Sequence, residues 1–153
     1  MTMQLYDFEG GKIYLDPDAS TMQALMVETR WEWRKVEYMR QHLQPGMVFA
    51  DVGAFNGYFS LIAAKLIGDK GKVLAFEPDA DCMGWLERNL AANPYDNITL
   101  YFAAVGATEQ PVSMFKGEQL GFTSASRMTN VTFVRPQVRL DNAISTRLDM
   151  MKV

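Results

Sequence analysis

Cysteine and histidine are almost absent from this 153-residue chain, which holds one of each, Cys82 and His42. One cysteine rules out an intrachain disulfide, and the pair is too few for the Cys/His cluster of a structural zinc, so no metal is expected. The scarcity suits a reducing, cytoplasmic setting. Basic charge is not in excess either. With 15 Lys and Arg against 18 Asp and Glu, the net charge is -3, without the electrostatic footprint of a nucleic-acid binder. Long apolar runs are also lacking: the stretch around Leu61 is interrupted by Lys65, well short of the ~20 residues that span a bilayer. The opening residues show no basic patch followed by an apolar core, so no export signal is expected. No nucleic-acid or membrane partner is expected, and no repeat, linker or low-complexity segment is visible.

What the chain does have is 48% hydrophobic and 22% charged residues, enough for one domain with a buried core. Residues 1–43 read as a lead-in and residues 44–153 as the core of that single domain. Ile13-Tyr14-Leu15, between Gly-Gly and Asp-Pro-Asp, suggests a small peripheral strand ending in a turn. Apolar residues at Leu25, Met26, Trp31, Val36, Met39 and Leu43 recur at helical spacing, as two helices broken near Thr29. After Pro45-Gly46 comes an apolar run over 47–52 without alternation, then a Gly-bearing turn and a helical pattern over 58–67. The unit repeats as a strand over 73–76, a turn at Glu77-Pro78-Asp79 and a helix over 81–92, followed by a third strand over 98–105. Such alternation predicts an α/β doubly wound, mainly parallel sheet with right-handed crossovers. It fails after the third strand. Short β-rich pieces at 112–115, 131–134 and 137–140 read as an antiparallel excursion, 141–146 as a short helix capped by Asp141, and 150–153 as the start of a fourth parallel strand.

The chemistry-bearing segment is Asp51-Val52-Gly53-Ala54-Phe55-Asn56-Gly57-Tyr58-Phe59-Ser60, at the carboxyl end of the first sheet strand, where open α/β sheets bind ligands. Gly53 lets the backbone turn against a ligand, Gly57 allows close packing at the helix start, and the first helical amides are expected as free donors. A dinucleotide fold brings pyrophosphate onto such a helix through Gly-x-Gly-x-x-Gly. Here Asp51 would repel a phosphate, and Phe55 stands at the second glycine. The same acid suits the ammonium and sulfonium charges of S-adenosyl-L-methionine. Glu77, 26 positions after Asp51, ends the second strand where an acid accepts both ribose hydroxyls. Ala104-Val105-Gly106 after the third strand completes the expected site with an apolar side chain on the adenine.

The ordered blocks at 44–54, 57–60 and 71–79, with Ala104-Val105-Gly106 and Val138-Arg139-Leu140-Asp141, resemble the FkbM family of methyltransferases over roughly residues 12 to 153. The resemblance implies a Rossmann-like class I methyltransferase fold and S-adenosyl-L-methionine as cofactor. It also implies methyl transfer to a hydroxyl oxygen of a small molecule or sugar. By it, Asp51, Gly53 and Gly57 line the methionine side, Glu77 holds the ribose, and Glu32 corresponds to the acid the family carries ahead of its Pro-Gly. Ala54, Phe55, Asn56, Tyr58, Ser60, Pro78, Asp79, Ala104 and Val105 complete the expected cofactor-binding set. Where the family usually has Asn, this chain has Phe55, and Asn56 falls at its apolar position. Members continue the strand at 150–153 into Asp-x-Glu-Gly and further strands. The expectation is therefore a chain incomplete at its C-terminus, with a homo-oligomer covering the open sheet edge as the alternative.

The sulfonium is already an activated leaving group, so catalysis needs in-line positioning of the nucleophile more than a covalent apparatus. The sequence names no catalytic base. Two other classes stay open at this point: an adenosine-binding module without turnover, completed by a partner, and an NAD-dependent oxidoreductase. Trp31, Trp33, Tyr38 and the methionines read as core or groove lining. His42 reads as a helix-end residue, Cys82 as an ordinary helix residue, and Thr123, Ser124 and Ser126 as a polar turn.

Overall fold

The computed structural model describes residues 3–16, 21–28, 30–116, 123–124 and 131–153. The sequence expectations at Pro17, Asp18, Thr29 and Ser126 lie outside the described residues. Strands β1 (Gln4–Phe8) and β2 (Gly11–Leu15) form an antiparallel hairpin, with Phe8 opposite Gly11. Helices α1 (Thr21–Val27) and α2 (Trp33–His42) follow, then β3 (Val48–Val52), α3 (Tyr58–Ile67), β4 (Lys72–Phe76), α4 (Ala80–Ala91) and β5 (Ile98–Tyr101). The second half holds β6 (Ala104–Val105), β7 (Val112–Lys116), β8 (Thr123–Ser124), β9 (Val131–Arg135), β10 (Gln137–Val138), α5 (Leu140–Ala143) and β11 (Met150–Lys152).

The central sheet has the order β5-β4-β3-β11, and every neighbouring pair is parallel. Strands buried on both faces carry continuous apolar runs, which explains why 47–52 and 73–76 show no alternation. The two faces nonetheless bury different neighbours. Phe49 and Val73 pack with α2, α3 and β2, whereas Ala50, Leu74 and Phe76 pack with Val105, Val138, Leu140 and Ile144. Helix α3 is apolar nearly all round, with eight of its residues buried, as a helix inside a layered fold must be. It ends where Gly68 takes φ 63, a C-terminal conformation that glycine adopts without strain. Helix α4 begins at Asp79, whose side chain accepts the Asp81 amide, a standard N-cap.

Four expectations are corrected. The strand at 13–15 is not peripheral: Ile13 and Leu15 are buried. Asparagine side chains dock its backbone, Asn89 Oδ1 accepting Tyr14 N at 2.6 Å and Asn93 exchanging bonds with Lys12 N and O at 2.8 and 2.7 Å. Its partner β1 gave no readable pattern. The third strand is broken after Tyr101, because β6 leaves the central sheet to pair with β10. That β6–β10 pairing is parallel, so only β7, β8 and β9 make up the antiparallel excursion. Finally, α5 is preceded by Arg139, and Asp141 falls inside its first turn.

Of the bulky residues read as lining, Trp33 and Tyr38 are exposed. Met26, Met39, Met83 and Met114 are buried. His42 closes α2 with Nδ1 2.8 Å from the Tyr38 carbonyl and its ring stacked on Tyr38, the helix-end role expected of it. Cys82 is buried in α4. Thr123 and Ser124 form a two-residue strand against β7 in place of a turn. No helix is long and apolar enough to cross a membrane, and no group of residues suited to hold a metal ion occurs, both among the described residues.

Candidate cofactor site

Parallel strands end together at their carboxyl edge, and the register sets Asp51 beside Ala75 and Val52 beside Phe76. The loops after β3, β4 and β5 therefore converge. Between them lies a cavity of about 250 Å³. Of the residues expected from sequence, Gly53, Phe55, Glu77, Pro78, Ala104 and Val105 line it. Val112 and Met114 from β7 and Gln137 from β10 line it as well and were missed. No local motif marks them, since their approach to the site depends on how β7, β9 and β10 return over the sheet.

Glu77 is the polar centre of this cavity and only 4% exposed. Its two carboxylate oxygens accept the amides of Phe55 and Asp79, each at 2.8 Å. Burial pushes its pKa up, an effect the two amide bonds oppose and the negative charges of Asp79 and Asp51 add to. Each oxygen keeps a further lone pair, so the fixed carboxylate can still accept hydroxyl donors. Phe55 reaches Glu77 by adopting φ 54, and Gly53 turns the loop at φ 73 with open space where a side chain would stand. Gly57, at φ 87, has no such room: a Cβ there would fall 2.7 Å from Leu86 Cδ1. The close-packing role expected of Gly57 is what the geometry requires.

Asp51 lies one layer deeper. Fully buried, it accepts the Ser60 hydroxyl at 2.7 Å on Oδ2 and has Lys152 Nζ 3.2 Å from Oδ1. The ammonium also donates to Gly53 O at 2.7 Å and Val52 O at 3.3 Å. Asp51 thus has a cation from this chain's own β11, and Lys152 was missed because only the β11–β3 register brings the two together.

Of the amides expected free at the start of α3, that of Tyr58 is engaged, as are those of the loop before it. Gly57 N donates to Ala54 O, Tyr58 N to Asn56 Oδ1, and Gly53 N and Ala54 N both to Phe76 O. Asn56 and Tyr58 are buried, Asn56 Nδ2 facing Met26 Sδ at 3.4 Å and the Tyr58 ring stacking on Phe8. Together with Ala54 and Ser60, they shape the loop from behind. Asp79 caps α4. Glu32 sits at φ 44 before α2, paired with Lys35 at 2.7 Å, and does not line the cavity.

A match to the family model described as the methyltransferase FkbM domain covers residues 51–152. The chain belongs to the FkbM methyltransferase family. The match runs from the acid of the glycine loop to the lysine that pairs with it, and it brings S-adenosyl-L-methionine as the cofactor of the fold. Among curated proteins, the chain is similar to the demethylmenaquinone methyltransferase of Symbiobacterium thermophilum, 28% identical over 103 residues, 66% of this chain and 41% of that one. It is also similar to a protein of Sulfurisphaera tokodaii named for cobalt-precorrin-6B C(15) methylation, 29% identical over 72 residues, covering 47% and 38%. The chain thus spans about two fifths of the length of these curated relatives. A solved structure from Pyrococcus horikoshii, described as a transferase, shares the fold at TM-score 0.51 and 24% identity, over 65% of this chain and 36% of that one.

Proposed function

We propose that this FkbM-family protein is an S-adenosyl-L-methionine-dependent methyltransferase acting on a hydroxyl oxygen of a small molecule or sugar. The observation that carries the cofactor half of this reading is Glu77, a buried carboxylate that lines the cavity and is oriented by two backbone amides. Such a carboxylate suits a pair of ribose hydroxyls, with Gly53 giving the ligand room on one side and Val105 and Ala104 offering apolar surface to the adenine on the other. The cofactor supplies the methyl group on a sulfonium that leaves as a neutral thioether. The chain's part is to hold it so that an acceptor oxygen lies in line, since alignment alone contributes several kcal/mol to such a transfer. The relatives are named for unlike acceptors, demethylmenaquinone and cobalt-precorrin-6B, so the hydroxyl acceptor rests on the family resemblance alone.

Isothermal titration of the full chain with S-adenosylhomocysteine and, separately, with NAD tests the reading. Binding of the first and none of the second is expected. The reverse would overturn it. Methyl transfer from the cofactor to a panel of hydroxylated acceptors then separates an enzyme from a module that binds without turnover.

A further inference from the structure

Among the described residues two polar side chains line the cavity, Glu77 and Gln137; the others that line it are Pro, Gly or apolar. Glu77 is fully committed in orientation. Gln137 is half-buried, and among the described residues its carboxamide has no hydrogen-bond partner, although its backbone is held in the β10–β6 pairing with Ala104. A carboxamide at a cavity wall with no partner in the chain keeps its donor and its acceptor available to a ligand. Its position is also prepared by the neighbouring strand: a methyl group on Gly106 would fall on the Gln137 side-chain amide. Gly106 leaves the space in which that side chain lies.

We infer that Gln137 reads the amino edge of the adenine ring, its amide oxygen accepting from the exocyclic amine and its amide nitrogen donating to the adjacent ring nitrogen. The chemistry matches in number and kind, because a carboxamide offers one donor and one acceptor side by side, as an adenine edge does. The ring itself would lie against Val105 and Met114, leaving the ribose towards Glu77. Gln137 then sets the base specificity of the site, and Gly106 is its positioning residue. The inference rests on the cofactor reading above and adds to it which base is selected and by which side chain.

The test crosses two proteins with two ligands in isothermal titration: the wild-type chain and Gln137→Ala, each with S-adenosylhomocysteine and with its analogue lacking the 6-amino group. Wild type is expected to bind the analogue about tenfold more weakly, the loss of one buried hydrogen bond. Gln137→Ala is expected to bind the two ligands within about twofold of each other. Gly106→Ala, which displaces the side chain while leaving it in the protein, is expected to lose the same discrimination, with an unchanged circular dichroism spectrum. If wild type binds S-adenosylhomocysteine but does not prefer it, or if Gln137→Ala keeps the full preference, the inference is overturned and the cofactor reading stands. If wild type does not bind S-adenosylhomocysteine at all, both fall.

Discussion

Replacing Lys152 by methionine removes the cation that pairs with Asp51 while keeping most of the side chain's length. Asp51 is fully buried and Lys152 is 16% exposed, with Nζ 3.2 Å from the carboxylate and hydrogen-bonded to the Val52 and Gly53 carbonyls. Breaking a fully buried ion pair by removing one partner costs about 3–5 kcal/mol, mostly from the charge left behind. Here Ser60 still donates to Asp51, and the ammonium touches water, so a loss of about 2–3 kcal/mol is expected. Neutralising both partners removes the stranded charge. Lys152→Met with Asp51→Asn should therefore be more stable than the sum of the single losses predicts, with a coupling of about 1–3 kcal/mol. Urea unfolding of wild type, both single variants and the double variant measures every corner of that cycle. If Lys152→Met lies within about 0.5 kcal/mol of wild type, or if the single effects simply add, the pair does not hold the glycine loop and the argument fails.

Other outcomes follow from the same geometry. Glu77→Ala should weaken S-adenosylhomocysteine binding by about 1–3 kcal/mol in titration calorimetry, as for losing a charged acceptor; unchanged affinity would mean the ribose is held elsewhere. Because burial raises the pKa of Glu77, affinity for that ligand should begin to fall at a higher pH than an ordinary glutamate would dictate as the solution is acidified, and Glu77→Gln should abolish this dependence. The free domain shows the opposite sign. A raised carboxyl pKa contributes stability below the unfolded-state value that is lost as pH rises through the folded value, so the Glu77→Gln variant should lack that decline in unfolding experiments. Arg135 donates to Pro78 O at 2.5 Å and stacks over Phe102 and Phe133. Arg135→Ala should cost about 1–2 kcal/mol in urea unfolding; unchanged stability would contradict its anchoring role. Gly57→Ala should destabilise by more than about 1 kcal/mol in urea unfolding, since the new methyl meets both a positive φ and Leu86.

The legible parts of this molecule are those whose determinants are local. The strands at 48–52 and 72–76, the helix at 58–67 and the acids at their carboxyl ends are written in contiguous periodicity, glycine placement and spacing. So is the resumption of the parallel sheet at β11. What could not be read depends on contacts across the chain. β1 shows no pattern because only its hairpin with β2 makes it a strand. The break after Tyr101 depends on β10 arriving to pair with Ala104 and Val105. Met114 reaches the site through the β7–β9 pairing, Gln137 through its pairing with Ala104, and Lys152 reaches Asp51 through the β11–β3 pairing, all between segments that no local periodicity links.

The pairing of Asp51 with Lys152 changes the reason for preferring a nucleoside to a dinucleotide. A lone acid would repel pyrophosphate, but an acid with its own ammonium 3.2 Å away repels much less. The exclusion rests on the amides instead. A helix start binds phosphate with backbone N–H groups that lack internal partners, and here the amides of Gly53, Ala54, Phe55, Gly57 and Tyr58 all donate within the protein. Pyrophosphate would find none of these donors free and would face the Glu77 carboxylate. A ligand that brings hydroxyl donors to Glu77 and a base edge to Gln137 meets the opposite situation, because the groups facing the cavity are then the ones it can satisfy. On the proposed reading, the loop thus offers a ligand its turned backbone at Gly53 and not these amides as donors.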